Sequence, residues 1–182
     1  MIKIKTLLIL VIVMCFLTSC MSGGERTAMR GSKDEKDINA KFEVIANAIN
    51  ERDKDIIESL FSKNALDEAD DFDENVKKLF AFVQGDIESW VKRTGSSTFG
   101  SIDHGQRKRE FSAYYDVYTA EQQYFFLLRN CSIDTAQPDN VGLYLILVVK
   151  AEEEEKIWDG ENKILFEGEV KIPRLGVYLP TE

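Results

Sequence analysis

Histidine is almost missing from this chain, cysteine and proline are scarce, and no apolar run reaches the ~20 residues that a membrane-crossing helix requires. The 182 residues hold one His, three Cys and three Pro. Each shortage removes a class of chemistry. Zinc-type Cys/His spacing, a Gly-rich phosphate loop, a dinucleotide fingerprint and a nucleophile elbow are all absent. The acidic stretch 67–74 (DEADDFDE) invites calcium but fails the EF-hand register. Started at Asp71, it carries Val76 where glycine is required and Phe82 where the closing glutamate belongs. No metal ion and no cofactor is expected. Strong positive charge is lacking too: the formal charge is −9, a poor match for nucleic acid or an anionic lipid surface. The basic cluster Arg107-Lys108-Arg109 lies between Gly105 and Glu110 and reads as a solvated turn between strands.

What is present begins at the first residue. Lys3 and Lys5 precede an apolar core, Thr6 to Phe16, of signal-peptide length. The core ends in Leu17-Thr18-Ser19-Cys20, which resembles the bacterial lipobox. That resemblance implies a diacylglyceryl thioether on Cys20, cleavage before it, and Cys20 as the mature N-terminus. Two acyl chains hold a protein stably at a bilayer where one does so only marginally. The chain is therefore expected at the extracytoplasmic face of the cell membrane. Loss of residues 1–19 removes two lysines and moves the charge from −9 to −11. Cys131 is then the only thiol left, so no intramolecular disulfide is available, and it reads as a small buried hydrophobe.

The expected organisation is a signal peptide over 1–19, a lipidated cysteine and flexible tether over 20–36, and one domain over 37–182. The tether is Gly/Ser-containing, charged and without apolar period; it would reach roughly 20–24 Å. A domain of this size buries about 68–70% of its unfolded surface and needs no staples.

Helical periodicity comes first. Ile38, Phe42, Ile45 and Ile49 form one stripe. Asp53 is placed to cap a second helix with Ile56, Ile57, Leu60 and Phe61 on its apolar side. A third helix runs from Phe72 to Gln84, with Asp71 and Glu74 as a capping pair and Gly85 as its stop. After Gly85 the period drops to two. Strands are expected over 86–93, around 111–118, over 124–133 and over 141–149, with turns at 95–97 and 137–140. The fold class is α+β: three N-terminal helices on one face of a curved antiparallel β-sheet. Val141, Leu143, Leu145, Leu147 and Val149 are expected on one face of the last strand, and Tyr144, Ile146 and Val148 on the other. Such a strand is covered on both sides. The helices supply one cover. The segment Ile157 to Leu179, with Ile164, Leu165, Phe166 and Val177, supplies part of the second, and a weak homodimer the rest.

The stretch AINERDKDIIESLFS (48–62) resembles the opening of the nuclear-transport-factor-two-like superfamily and implies its cone-shaped fold. Together with FVQGDIESW (82–90), VGLYLILVV (141–149) and LGVYLP (175–180), it resembles a family of uncharacterised bacterial lipoproteins that carry a domain of unknown function on that cone. Enzymes of the superfamily place acid–base groups inside the cone, and two sets here invite that role. His104 lies beside Asp103, but in extended chain the two would point to opposite faces. Tyr114, Asp116 and Tyr118 share a face, but Phe111, Ala113, Tyr115 and Val117 are the more apolar set and the better lining, which turns Asp116 outward to solvent. The reading is a non-catalytic domain for a small apolar ligand or an envelope-protein partner, with Trp90, Tyr115, Phe126 and Tyr144 as lining of an open pocket. Two alternatives stand beside it: a small isomerase or hydrolase using Asp116 and a tyrosine, and a structural envelope protein.

Overall fold

The computed structural model describes residues 22–157, 166–167, 170–171 and 175–179, and the lipobox with Cys20 lies outside them. The chain divides into two compact units, Met1–Lys36 and Asp37–Glu182. The first described element is helix α1 (Ser22–Glu51), whose opening residues fall in the segment that composition assigns to a tether.

Within the second unit the expected stripe of α1 is real: Ile38, Phe42, Ile45 and Ile49 are all buried. Asp53 caps α2 (Lys54–Leu60), its carboxylate accepting from Ile56 N at 3.0 Å. A further short helix, α3 (Lys63–Glu68), follows at once, capped by the Ser62 hydroxyl. Among the described residues four helices are thus found where three were expected, because six residues are too few to show a period. Helix α4 (Phe72–Phe82) buries Phe72, Val76, Leu79 and Phe80. Its start departs from the expected capping pair: Asp71 stands at the cap position in the left-handed region (φ 48°) and makes no side-chain cap bond.

The sheet holds β1 (Ile87–Lys92), β2 (Ser97–Asp103), β3 (Gln106–Thr119), β4 (Gln123–Asp134), β5 (Gly142–Lys150) and β8 (Gly176–Tyr178). It runs β1-β3-β4-β5-β8, with β2 also on β3, and does not close. Strands β6 (Phe166–Glu167) and β7 (Val170–Lys171) form a separate pair. All neighbours in the main sheet are antiparallel except β5 and β8, which are parallel, a departure from the all-antiparallel expectation. A parallel neighbour requires a crossover. The chain between β5 and β8 begins with the 3₁₀ turns Ala151–Ile157.

Burial follows the two faces. Phe111, Ala113, Tyr115, Val117, Phe126, Leu128, Leu143, Ile146 and Val148 join the helices in one cluster. Phe125, Leu127, Leu145, Leu147, Val149 and Ile157 form a second on the outer face. Full burial of such a side chain is worth about 1.5–3 kcal/mol, so both clusters matter. Two expectations change here. In β5, Tyr144 is a bulge residue: Leu143 pairs with Asn130 and Leu145 with Arg129, two residues on β5 against one step of β4. The bulge moves Leu143 to the helix side, away from Leu145. Val177 pairs with Ile146 and also joins the helix-side cluster, so it is not a cover of the outer face. Ile157 is, and the outer leucines are fully buried within one chain. Ile164 and Leu165 lie outside the described residues.

The helices and sheet meet closely at Gly142. Its φ is +140°, and a Cβ there would lie 2.6 Å from Ser62 N and 2.8 Å from Ser62 Cα. That approach lets Ser62 N donate to the Leu143 carbonyl at 2.8 Å, which anchors the α2–α3 corner to β5. Gly142→Ala should lower unfolding free energy by about 2–4 kcal/mol, since backbone cannot move aside. Gly95→Ala (φ +97°, open space around it) should lose only about 1–2 kcal/mol. Urea melts of the two variants decide it; equal losses would show that the close approach does not constrain the fold.

Candidate functional site

The sequence-predicted lining residues go to different places. Tyr115 and Phe126 are fully buried, and Phe42 from α1 lies directly on them. Its ring stacks on Tyr115 at 3.9 Å and meets Phe126 edge-on at 5.5 Å and Trp90 edge-on at 5.2 Å. Trp90 closes the group against Tyr115 at 5.5 Å. The phenol of Tyr115 donates to Asn39 Oδ1 at 2.9 Å. Tyr124 is satisfied the same way, donating to the Phe82 carbonyl and accepting from Gln84 N. Three of the four aromatics are thus packed against one helix residue, an arrangement worth about 0.5–1.5 kcal/mol per ring pair beyond burial. Tyr144, at the bulge, touches both clusters instead. An open depression of ≈ 470 Å³ does exist, but Asp55, Glu58, Ser59, Phe61, Lys63, Leu66 and Asp67 line it, on α2 and α3.

Asp116 does lie on the outer face, though not simply in solvent. Arg93, just after β1, grips it with Nε at 2.9 Å from both carboxylate oxygens and Nη2 at 2.6 Å from Oδ1. Nη1 reaches Glu154 at 2.6 Å in the 3₁₀ segment, and the guanidinium lies 5.0 Å over the Phe125 ring. Tyr114 also stacks on Phe125, with ring centroids 6.0 Å apart. The hydrogen bonds to Asp116 and Glu154 hold the Arg93 charge firmly, raising its pKa further. Both oxygens of Asp116 are thus engaged by one guanidinium, which makes this carboxylate a structural partner. The cluster ties β1, β3 and the crossover together. Nothing in the run of residues marked Arg93 as its centre; Arg93 and Glu154 are 61 residues apart.

His104 also differs from expectation. Asp103 to Gln106 is a two-residue hairpin with positive φ at both His104 (46°) and Gly105 (83°), as a type I′ turn requires. The chain is therefore not extended there, and His104 Nδ1 meets Asp103 Oδ1 at 2.6 Å. Both side chains are almost wholly exposed, 93% and 84%. A solvated pair has no wall to position a substrate. Among the described residues no group of three or more His, Cys, Asp or Glu is placed to hold a metal ion. Cys131 is buried, and its thiol is pushed up by desolvation.

The hairpin itself carries the unabsorbed surface. Strand β2 was missed in the sequence because all seven of its residues are exposed, so neither face shows alternation. It pairs only with β3 among the described residues, from Ser97↔Ser112 to Asp103↔Gln106. Its other edge presents backbone N–H and C=O groups beside Phe99 (59% exposed) and Ile102 (77% exposed). Natural edges are usually blunted by proline, lysine or inward charge. Between Ser97 and Ile102 this strand has none of them.

Asp116→Asn should destabilise the domain by about 1–3 kcal/mol, because the half-buried Arg93 keeps its charge, loses one of its acceptor oxygens and one of its two paired negative charges. Guanidinium unfolding of the two proteins measures this; an unchanged midpoint would mean that the cluster is only surface decoration.

Residues 44–151 match the family described as Domain of unknown function (DUF5104). A comparison with curated proteins gives no match. The matched segment is more than half of the chain and contains α2 to α4, β1 to β5, the edge strand and Arg93 with Asp116. The chain belongs to the DUF5104 family.

Proposed function

We propose that this protein is a lipid-anchored, extracytoplasmic binding domain that takes an extended segment of an envelope protein onto strand β2, without catalysis. The anchor is Cys20, on the lipobox match LTSC and the short apolar core before it. The fold is assigned to the cone of the nuclear-transport-factor-two-like superfamily, on the helices-then-sheet order and the resemblance of residues 48–62.

One observation carries the binding reading: a seven-residue edge strand, exposed throughout, with Phe99 and Ile102 in water. Strand addition draws affinity from main-chain hydrogen bonds and specificity from alternate side chains. Such an edge supplies both. The stacking of Phe42 on Tyr115 argues against a small apolar ligand in the interior, since a ligand would have to displace that ring. The engagement of Asp116 by Arg93 argues against the isomerase or hydrolase reading.

Two experiments test the two halves separately. Cys20→Ala should abolish processing and detergent-phase partitioning; unchanged size and membrane retention would overturn the anchor. A photo-crosslinking benzoyl-phenylalanine at position 102, in intact cells, should give one discrete adduct that disappears when Gly100→Pro removes an edge N–H. No adduct would overturn the partner reading in favour of a structural envelope protein, and an adduct of twice the chain mass would replace the partner with a second copy.

A further inference from the structure

Arg129 is out of place on the outer sheet face. It pairs with Ser112 on β3 and Leu145 on β5, and opposite residues share a face. That face is the one that buries Phe125, Leu127, Leu145 and Leu147. Arg129 is half-buried there, and its Nε is fully enclosed without an acceptor among the described residues. Leaving a buried donor unsatisfied costs about 1–3 kcal/mol, more for a charged group. Another arginine over this face, Arg93, is structurally paired: two carboxylates close on it.

The neighbours of Arg129 define what could close on it. Tyr144, at the bulge, lies within electrostatic reach of Arg129, Glu110 and Cys131, and burial pushes its phenol up to about 12. It therefore stays a neutral O–H donor at any ordinary pH. Glu110 is a carboxylate whose charge also reaches Tyr144, but Lys108 Nζ already holds it at 2.8 Å. Ser112 offers a hydroxyl from the neighbouring strand. Cys131, paired with Glu110, is a buried thiol held neutral by its surroundings. Asn130 has an unsatisfied Oδ1 as well, but it pairs with Phe111 and Leu143 and belongs to the other face.

We infer that Arg129, opposite Leu145 and next along β5 from the bulge residue Tyr144, is a binding site for the carboxylate of a small organic acid. The two Nη groups, not enclosed as Nε is, match a carboxylate in two parallel hydrogen bonds. The charge balance selects the anion: one guanidinium with Glu110 nearby suits a monoanion and disfavours a phosphate dianion. Leu127 and Leu145 flank the arginine along β4 and across on β5, which suits a short apolar tail. The site is on the opposite edge of β3 from β2 and does not depend on the partner reading.

The test uses the purified full-length chain and the Arg129 Nε–H resonance, titrated with acetate, butyrate, inorganic phosphate and chloride. Butyrate should move that resonance saturably and bind more tightly than acetate, with phosphate and chloride weaker than both. Arg129→Lys should weaken butyrate at least about tenfold, since a lysine cannot fork. Tyr144→Phe, which keeps the ring, should weaken it a few-fold, and Glu110→Gln should tighten it. A linear shift common to all four anions, tighter binding of phosphate, or equal butyrate affinity in the Arg129→Lys variant would each overturn the site. So would a Glu110→Gln variant whose Arg129 Nε–H resonance shifts without ligand as far as butyrate shifts it in the parent protein, since Glu110 would then be the direct partner.

Discussion

Everything in this domain answers to one constraint: two adjacent strands that cannot tolerate water on either face. β4 buries five consecutive residues from Tyr124 to Leu128, and β5 buries five from Leu145 to Val149. Alternate side chains of a strand point to opposite sides, so such runs demand a cover above and a cover below. The four helices are the first cover, and they work because α1 supplies a stripe with Phe42 at its centre. The second cover comes from further along the same chain. After β5 the backbone turns across the outer face, buries Ile157, and returns as β8 beside β5.

The crossover also explains where the polar residues of the outer face lie. An apolar sheet face can carry charge only at its margins, where the charge is paired or partly wet. Arg93, Asp116 and Glu154 occupy one margin, and the last of these is delivered by the crossover itself. Arg129 and Tyr144 lie toward the other end, next to the bulge that shifts β5 by one residue against β4. A bulge twists the strand and re-aims the side chain that it carries. Here that side chain is Tyr144. The family match ends at residue 151, so it includes Arg93 and Asp116 but not Glu154.

The candidate surface and the closed interior are two consequences of the same arrangement. Tyr115 and Phe126 read correctly as inward-facing aromatics. Whether inward means a cavity or a core depends on what arrives from the other side, and Phe42 is 73 residues from Tyr115 in the chain. Asp116 read correctly as outward. Its capture by Arg93 needs β1 antiparallel to β3 with Val91 opposite Asp116. Strand β2 was illegible for a different reason: an edge strand in water on both faces has no alternation to detect.

The sequence alone determined the segments with a dry side and a wet side: the stripe of α1, the cap at Asp53 in its local turn, the apolar strands, and the lipobox residues ahead of them all. These depend on neighbours within a turn or a strand length, where the chain's own geometry sets what each side chain meets. Tertiary structure decided the rest. It made the last strand parallel, put Leu143 on the helix side, filled the aromatic interior, closed Arg93 on two acids and left the Arg129 Nε without an acceptor among the described residues. Each of these outcomes is a meeting of residues far apart in the chain. Burial and charge reward such meetings only once the sheet has brought both partners to the same face.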